Sequence, residues 1–260
     1  MQVRHSDRKQ YFQELSITSE LYFIPYIKQF IQIKRGTKVL EIGCGEGGNL
    51  LPFAKSGCEV TGIDIARTRI EQAVSFFKES GYNGIFWVKN ILELTPQEKQ
   101  YDIIIIHDVI EHIYFKEELL HLIQKLVAPK GLCFTGFPSW QMPFGGHQQI
   151  CRSKIVSHLP FVHLLPNKIY RLILNVCHES KDCINDLLEI KSCKMTIGNF
   201  ERLAKKCKWQ IIDKKLYLIN PHYEIKFGLR PRLLSKYMCK LPCIRNYLST
   251  SCFYILRQTN

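Results

Sequence analysis

A glycine-rich segment near the start of the chain has the composition of a cofactor-binding loop. The apolar run 39–42 leads into Gly43, Gly45, Gly47 and Gly48, and a helical pattern follows. Glycine allows a ligand to approach the backbone where any Cβ would collide with it. The segment also fits G-x-G-x-x-G, the pattern of dinucleotide-binding loops, but that pattern alone is weak evidence. The residues around the loop must therefore identify the cofactor.

Carboxylates around the loop favour S-adenosylmethionine over a nicotinamide dinucleotide. Glu41 ends the apolar run and Glu46 lies inside the loop, where both would face a pyrophosphate. S-adenosylmethionine has no phosphate, and its ammonium and sulfonium groups are stabilised by nearby carboxylates. Asp64 ends the next apolar run, where an acidic side chain can accept both ribose hydroxyls. The alternative role for Asp64 is to cap a helix that begins near Ala66.

Short β-branched runs alternate with helical patterns between residues 37 and 137, which predicts a parallel α/β sheet. The predicted strands are Lys38–Ile42, Glu59–Ile63, Ile85–Lys89, Tyr101–Ile106 and Leu132–Phe137, and the predicted helices are Gly48–Ser56, Ala66–Ser80 and Lys116–Val127. A turn at 128–131 precedes the fifth strand. The segment Ser19–Ile33 is predicted to form a helix that covers one end of the sheet.

This part of the chain resembles the class I S-adenosylmethionine-dependent methyltransferases, and most closely the ubiquinone-pathway O-methyltransferases with their bacterial relatives. The motifs are E-x-G-x-G-x-G from Glu41 to Gly47, then Gly-Ile-Asp64, then the run from Tyr101 to His112. The resemblance covers about residues 37–137. It implies a Rossmann-like, seven-stranded, mostly parallel sheet flanked by helices, with an insertion after strand five. An antiparallel last strand would be supplied by Ser251–Arg257.

The resemblance also implies which residues bind the cofactor, whose product form is S-adenosylhomocysteine. The methionine end would be lined by Glu41, Gly43, Cys44, Gly45 and Gly47, the ribose by Asp64 and Ile65, and the adenine by Asn90 and Ile91, with His107 as a further contact. Many family members have Asp at the position of Asn90. The amide carbonyl of Asn90 can still accept a hydrogen bond from the adenine amino group.

Histidines are the candidate bases for methyl transfer. Displacement at a sulfonium requires alignment of the acceptor and, for a hydroxyl, removal of its proton. His107, His112 and His147 are candidates, and we select His147 and His112 as catalytic. The alternative for His147 is a loop histidine without a catalytic role.

Two sets of potential metal ligands occur, and we predict no bound metal at either. The run Asp108-x-x-Glu111-His112 resembles the E-x-x-E-H metal cluster of small-RNA 2′-O-methyltransferases and some ubiquinone-pathway enzymes, except that its first acid is shortened. Helix capping and packing are the favoured explanation of this run. The 11 cysteines are odd in number and include no C-x-x-C pair, so we interpret them as reduced, mostly buried thiols.

The chain is interpreted as one methyltransferase domain, residues 1–260. It divides into an N-terminal helical cover (1–36), a cofactor-binding half (37–137), an aromatic insertion or lid (138–195) and a segment that completes the sheet (196–260). A helix near Ile197–Cys207 and a strand near Gln210–Leu218 belong to the last segment. The insertion, whose prolines interrupt long helices, would form an apolar acceptor pocket, an interfacial surface or ordinary core.

The net charge of +13 lies entirely in the second half of the chain. Residues 1–135 carry 16 basic and 16 acidic side chains, whereas residues 136–260 carry 20 basic and 7 acidic ones. The second half includes a basic patch formed by Lys226, Arg230, Arg232, Lys236 and Lys240. An anionic partner or a generally solvated basic surface would explain this excess.

Together these features predict methylation of an oxygen atom on a small anionic or lipid-like acceptor, with possible peripheral membrane contact. An RNA or protein methyltransferase is the main alternative, and nucleic acid is the less favoured partner. A non-catalytic cofactor-binding protein and a nicotinamide-dependent oxidoreductase are the remaining alternatives. No apolar run approaches the roughly 20 residues needed to cross a bilayer, and we expect a cytoplasmic protein.

Overall fold

The computed structural model describes residues 7–94 and 100–259, which form a mixed eight-stranded sheet with helices on both faces. Strands β1 to β8 span Lys38–Ile42, Glu59–Asp64, Ile85–Val88, Tyr101–His107, Val127–Phe137, Trp209–Ile219, Arg232–Leu233 and Ser251–Gln258. Helices α1 to α12 span Arg8–Thr18, Ile24–Ile27, Leu51–Lys55, Arg67–Glu79, Lys116–Leu126, Lys154–His158, Asn167–Val176, Lys181–Cys193, Ile197–Lys206, His222–Phe227, Lys236–Lys240 and Pro242–Leu248.

The strand order is β3-β2-β1-β4-β5-β8-β6-β7. The first five strands in this order are parallel, and β8 runs antiparallel to both β5 and β6. The predicted α/β fold and its antiparallel last strand are confirmed. The predicted count of seven strands is corrected to eight, because the two residues of β7 pair with the exposed edge of β6. A strand of two exposed residues is too short to show a hydrophobic periodicity, so it could not be predicted from the sequence.

The fifth strand begins earlier than predicted. Residues 128–131 were expected to form a turn, but β5 extends from Val127 and pairs with Tyr101 before the register shifts. Regular pairing resumes where Ile103 faces Leu132. The Pro and Gly of this segment therefore mark an irregularity inside a strand, which is a common role for them in sheets.

The central strands are buried on both faces, as expected for a parallel sheet covered by helices. Ile103 to Ile106 of β4 are fully buried. Alternate residues of β1 and β4 pack against α5 and α9 on one face, and the intervening residues pack against the N-terminal helices and α3 on the other. This packing fixes the carboxyl ends of β1, β2 and β4 beside one another.

The N-terminal helix begins and ends earlier than the sequence predicted. Helix α1 starts at Arg8, one π-helical turn follows at Ser19–Phe23, and α2 ends at Ile27. Polar residues dominate the start of α1 and hide its pattern, although Phe12 and Leu15 are buried. These two residues pack on the glycine loop, since a Cβ on Gly48 would lie only 2.6 Å from the carbonyl oxygen of Phe12.

The insertion has a small apolar core of its own. Prolines limit its first helix to Lys154–His158, as expected, but the proline-free stretch beyond Glu179 forms the 13-residue helix α8. Its core consists of Cys151, Val156, Val162, Tyr170, Leu174, Ile184 and Leu187. Within the described ranges, no helix is both long and apolar enough to cross a membrane.

We expect Gly48→Ala to lower the free energy of unfolding by about 1 to 3 kcal/mol, because the new methyl group would overpack the contact with α1. Chemical denaturation followed by circular dichroism measures the change. Gly198→Ala is the matched control, since the nearest atom to its new methyl group is Arg245 Nη2 at 3.9 Å. Equal stability of Gly48→Ala and the unmodified protein would contradict this account of the packing.

Candidate active site

A cavity of about 480 Å³ opens at the carboxyl ends of β1, β2 and β4. Ligands of open α/β sheets bind at this edge, where the strand order reverses, and here the reversal lies between β1 and β4. The cavity is lined by residues of the segments 42–43, 63–66, 89–92 and 108–115, together with Arg69. Five predicted cofactor residues line it: Gly43, Asp64, Ile65, Asn90 and Ile91. Arg69 also lines it but was not identified from the sequence.

The glycine loop needs glycine at three positions, because Gly43, Gly45 and Gly47 all have positive φ values. A Cβ on Gly43 would lie 2.3 Å from Val109 Cγ2, so the loop touches the segment that follows β4. A Cβ on Gly45 would instead project into space whose nearest described atom is Arg69 Nη1, 3.9 Å away. That open space beside the backbone is a cradle that fits a cofactor.

Glu41 is buried near the end of β1, and one of its carboxylate oxygens lacks a hydrogen-bond partner in the described structure. Its Oε1 accepts a hydrogen bond from Asn49 Nδ2 at 2.7 Å, and Oε2 is the oxygen that accepts none from the described residues. Burial, reinforced by the charge of Asp64, raises the pKa of Glu41 to about 8. A cationic group on a cofactor would supply the missing partner and favour the ionised carboxylate. The residues present therefore fit the ammonium of S-adenosylmethionine.

Glu46 does not act as the free carboxylate that the sequence argument assumed. The guanidinium of Arg8 pairs with it, with Arg8 Nε donating to Glu46 Oε1 at 2.7 Å. Arg8 also lies over the ring of Tyr11, 4.9 Å from its centroid. Of these two carboxylates, Glu41 is therefore the one that can favour a cationic cofactor over a pyrophosphate. Arg8 is 38 residues away in sequence, and no local spacing indicates the pair.

Asp64 organises the turn that follows β2. Its Oδ2 accepts a hydrogen bond from the backbone nitrogen of Gly45 at 2.9 Å, and its Oδ1 accepts one from Ala66 at 2.8 Å. Helix α4 begins at Arg67 with Ala66 as its cap residue, so Asp64 is not the helix cap. Each carboxylate oxygen keeps a second lone pair that a ribose hydroxyl can use.

Other predicted cofactor residues serve the loop structure. Asn90 Oδ1 accepts a hydrogen bond from the backbone nitrogen of Leu92 at 3.1 Å and caps the short turn that contains Ile91. The Cys44 thiol packs against Gly62, where a Cβ would lie 2.6 Å from the sulfur. Gly47 packs beneath two phenylalanine rings. The described residues that line the cavity do not include Glu41, Cys44, Gly45 or Gly47.

His107 ends β4 in an aromatic environment. Its ring lies 4.7 Å from that of Phe23 and 6.0 Å from that of Phe253, measured between centroids. His107 Nδ1 is 3.4 Å from Asp108 Oδ2. The cavity wall begins with Asp108, one residue later. His107 therefore lies behind the wall, where it can orient Asp108.

The predicted catalytic histidines lie together. The rings of His112 and His147 are 4.8 Å apart between centroids in an edge-to-face arrangement, and Glu111 joins them. One ligand atom from each of these three residues lies within 4.8 Å of the other two. His112 lines the cavity, whereas His147 packs behind it with a left-handed backbone.

The interpretation of Asp108–His112 as the opening of a helix is wrong. Helix α5 starts at Lys116, its cap residue is Phe115, and no side chain makes a capping hydrogen bond there. The segment 108–115 is instead a loop that forms one wall of the cavity. This conformation leaves Glu111 buried beneath the loop, with both carboxylate oxygens unpartnered within the described ranges.

Burial disfavours the charged forms of all three side chains in this cluster. It raises the pKa of Glu111 well above its usual value, with help from Asp108. It lowers the pKa of His112, and it lowers the pKa of His147 to about 3. His147 Nε2 is also buried without a hydrogen-bond partner in the described part of the chain. Neutral imidazoles and a buried carboxyl group without a hydrogen-bond partner among the described residues fit a divalent cation. The resemblance of Asp108–His112 to a metal cluster had indicated such a site, and the expectation that no metal binds there stays a prediction.

Comparison with known proteins identifies the family. The sequence profile of a methyltransferase domain family matches residues 12–143, just over half of the chain. A ubiquinone biosynthesis O-methyltransferase of Rickettsia conorii is 33% identical over 95 residues, which cover 36% of this chain and 32% of the relative. The chain thus spans about a third of the length of this curated relative.

Solved structures show the same fold over nearly the whole chain. An S-adenosylmethionine-dependent methyltransferase of Clostridium acetobutylicum has a TM-score of 0.59 at 9% identity, covering 96% of this chain and 92% of that one. PKMT2 of Rickettsia typhi, in complex with AdoHcy, has a TM-score of 0.55 at 20% identity. The match covers 93% of this chain and 54% of that one.

The fold, the glycine loop and the acidic residues beside it define a Rossmann-like methyltransferase of class I. The chain belongs to the methyltransferase domain family, and its cofactor is S-adenosylmethionine. This assignment excludes the nicotinamide-dependent oxidoreductase that the glycine spacing alone had left open. The roles of the individual cofactor residues remain predictions.

We expect binding of S-adenosylhomocysteine to tighten as the pH rises from about 6 to 8, by up to about tenfold per pH unit. The pKa of Glu41 is about 8 in the free protein. Its carboxyl group must lose a proton to pair with the ligand ammonium, and this step becomes easier as the pH rises. Calorimetric titration across this range measures the dissociation constant.

Glu41→Gln should bind more weakly at pH 8 and show little of this pH dependence, because the amide cannot ionise. Glu59→Gln, at the exposed start of β2, is the matched control and should behave like the unmodified protein. An undiminished pH dependence in Glu41→Gln would show that Glu41 does not face the ligand ammonium.

Proposed function

We propose that this protein transfers the methyl group of S-adenosylmethionine to a hydroxyl oxygen of a small, lipid-like acceptor. The observation that carries the proposal is the cluster of Glu111, His112 and His147 at the cavity. A hydroxyl must lose its proton as its oxygen attacks, so a group that accepts or displaces this proton is required. The bound cofactor supplies an electrophilic methyl group on its sulfonium.

His112 is the residue placed to receive the proton. It lines the cavity, and its side chain is 38% exposed, so an acceptor can reach the imidazole. Burial lowers the pKa of His112 and keeps the ring neutral, which is the form that accepts a proton. The edge of the His147 ring packs against it and limits its orientation. In this proposal His112 is the base and His147 positions it.

A divalent cation at this cluster is the alternative to a histidine base, because an imidazole whose basic nitrogen binds a metal cannot also accept the proton of the acceptor. The ligands would be one carboxylate oxygen of Glu111 and one imidazole nitrogen each from His112 and His147. The low pKa of His147 makes it a weak base but keeps available the neutral imidazole that a metal requires. A cation there would lower the pKa of an acceptor hydroxyl, which favours oxygen as the methylated atom.

We expect His112→Asn to lower kcat by about 10²- to 10⁴-fold with little change in S-adenosylhomocysteine affinity. The assay measures production of S-adenosylhomocysteine by mass spectrometry with a panel of phenols and catechols that carry alkyl chains. His121→Asn is the matched control, because His121 is half-exposed on α5 outside the cavity wall. Full activity of His112→Asn on an acceptor hydroxyl would refute a role for His112 as the base.

A basic and apolar surface supports the lipid-like character of the acceptor. Neither residues 138–178 nor residues 225–260 contain any Asp or Glu. The described structure exposes large apolar side chains in both segments: Ile155, Leu159, Phe161, Ile169, Leu172, Val176, Phe227, Leu229, Leu233, Tyr237, Met238, Leu241, Ile244 and Tyr247. We call these side chains, with the lysines and arginines between them, the basic apolar surface.

The basic apolar surface is connected to the acceptor side of the site. The rings of Phe161 and Tyr247 are 6.1 Å apart and join its two segments. The backbone nitrogen of Phe161 donates a hydrogen bond to the carbonyl oxygen of Pro143, at the start of the turn that carries His147. A membrane that contacts this surface would therefore lie against the segment next to the catalytic cluster.

Exposed apolar side chains among cations are typical of surfaces that bind anionic membranes. Ile155 is 74% exposed and Val176 is 67% exposed, and aliphatic side chains insert into lipid but offer no ring on which a nucleic-acid base could stack. The excess positive charge also favours an acceptor with an anionic group. We therefore propose that the protein meets its acceptor at the surface of an anionic bilayer. RNA remains the alternative partner that the charge alone would permit.

We expect the protein to sediment with vesicles of phosphatidylglycerol but not with vesicles of phosphatidylcholine. The double variant Lys236→Gln, Lys240→Gln should bind about fivefold more weakly per lysine removed, since each lysine near an anionic surface contributes about 1 kcal/mol. Lys125→Gln with Lys130→Gln is the matched control, since both of these lysines are exposed at the other end of the sheet.

Tyr237→Ser tests the apolar contribution to the same surface. A membrane surface predicts weaker binding to vesicles, because an exposed aromatic ring inserts at the lipid interface. Tight RNA binding that Tyr237→Ser leaves unchanged, together with no vesicle binding, would contradict the membrane proposal and favour the RNA alternative.

A further inference from the structure

A second cluster of potential metal ligands lies in the insertion, away from the cavity. Cys151 precedes α6, Cys183 lies in the first turn of α8, and Glu179 lies just before α8. Cys151 and Glu179 are buried and Cys183 is half-buried. These residues belong to the small core of the insertion, which is separate from the two cores of the main sheet.

The donor atoms are spaced for a tetrahedral cation. The two sulfurs and one carboxylate oxygen of Glu179 all lie within 4.8 Å of one another. Zn–S bonds of about 2.3 Å in a tetrahedral site place two sulfurs roughly 3.8 Å apart. A small inward movement of the side chains therefore forms the site without moving a helix.

Glu179 is held in place by the backbone. Its Oε2 accepts a hydrogen bond from the nitrogen of Arg152 at 3.0 Å, and its Oε1 accepts one from Ser153 at 2.8 Å. These two hydrogen bonds fix the orientation of the carboxylate. In known metal sites, the ligands are oriented by hydrogen bonds of the same kind. Each oxygen keeps a lone pair for coordination.

An unpartnered hydroxyl independently indicates that a ligand is missing. Tyr170 is fully buried, and its phenol oxygen has no hydrogen-bond partner within the described residues. Tyr170 belongs to the same apolar core as Cys151, and Cys183 packs against that core. A buried hydroxyl without a partner is costly, and a water or thiolate ordered by a cation would supply one.

We infer that Cys151, Glu179 and Cys183 bind a thiophilic divalent cation of the Zn²⁺ type, which fastens the loop before α6 to the start of α8. Two thiol protons are released to solvent as two metal–sulfur bonds form. These cysteines were expected to be reduced thiols without a metal, because Cys151 is far in sequence from the other ligands.

A structural cation suits the location. The insertion's core has seven buried side chains with five partly buried ones packed against them, and small cores commonly need a metal or disulfide to stabilise them. The cation would stabilise the acceptor-side insertion without entering the methyl-transfer site.

Cobalt titration of the full chain tests the site in a buffer with a phosphine reductant, after removal of metals by a chelator. We expect thiolate-to-cobalt charge-transfer absorption that saturates at one Co²⁺ per chain and is displaced by Zn²⁺. Cys151→Ser and Cys183→Ser should each remove it. Cys243→Ser, on the exposed helix α12, should keep it.

Two further variants separate this site from the other clusters. Cys207→Ser removes the thiol of the group formed with Glu117 and His121, and His147→Asn removes a ligand of the catalytic cluster, which has no thiol. Both variants should retain the absorption. Zn²⁺ should also raise the Tm of the unmodified protein by several degrees over the chelated form, but not that of Cys183→Ser.

Three results would overturn the inference. They are the absence of thiolate absorption in the folded protein, persistence of that absorption in both Cys151→Ser and Cys183→Ser, and recovery of a Cys151–Cys183 disulfide instead of a metal complex. Because Cys183 is only half-buried, Cys183→Ser should fold even if Cys151→Ser does not.

Discussion

The hydrogen bond between the Gly45 backbone nitrogen and the Asp64 carboxylate fixes the geometry on which the cofactor site depends. It joins the loop after β1 to the end of β2, and two further backbone bonds run from Gly43 and Cys44 to the Ile63 carbonyl. A charged acceptor in a buried setting makes this bond stronger than a neutral one. With the loop held at this distance, the open side of Gly45 faces the space where a cofactor fits.

The N-terminal helix closes the same loop from the other side. Phe12 and Leu15 pack on Gly48, and Arg8 neutralises Glu46, so that Glu41 is the carboxylate of this loop left without a cation. The electrostatic preference for a cationic cofactor is therefore concentrated at one buried residue. In the low dielectric of this site, a single unpaired carboxylate has a larger effect than several exposed ones.

The acceptor side is built differently, from a loop and an insertion instead of strand ends. The loop after β4 brings Glu111 and His112 to the cavity, and the turn at 143–147 brings His147 against them. The insertion that carries this turn also carries the Cys151 cluster and half of the basic apolar surface. In the function that we propose, one insertion therefore positions the catalytic cluster, contacts the membrane and contains its own stabilising site.

Local sequence patterns determined the α/β class, the five parallel strands and the cofactor, because strand periodicity and the glycine loop are encoded by neighbouring residues. The β7 edge, the start of α1 and the Arg8–Glu46 pair were decided by contacts between distant segments. The same holds for the two ligand clusters: Glu111 meets His147, and Cys151 meets Cys183, only after the insertion folds back on the sheet and on itself. Spacing along the chain carries no information about such contacts, since burial and long-range packing create them.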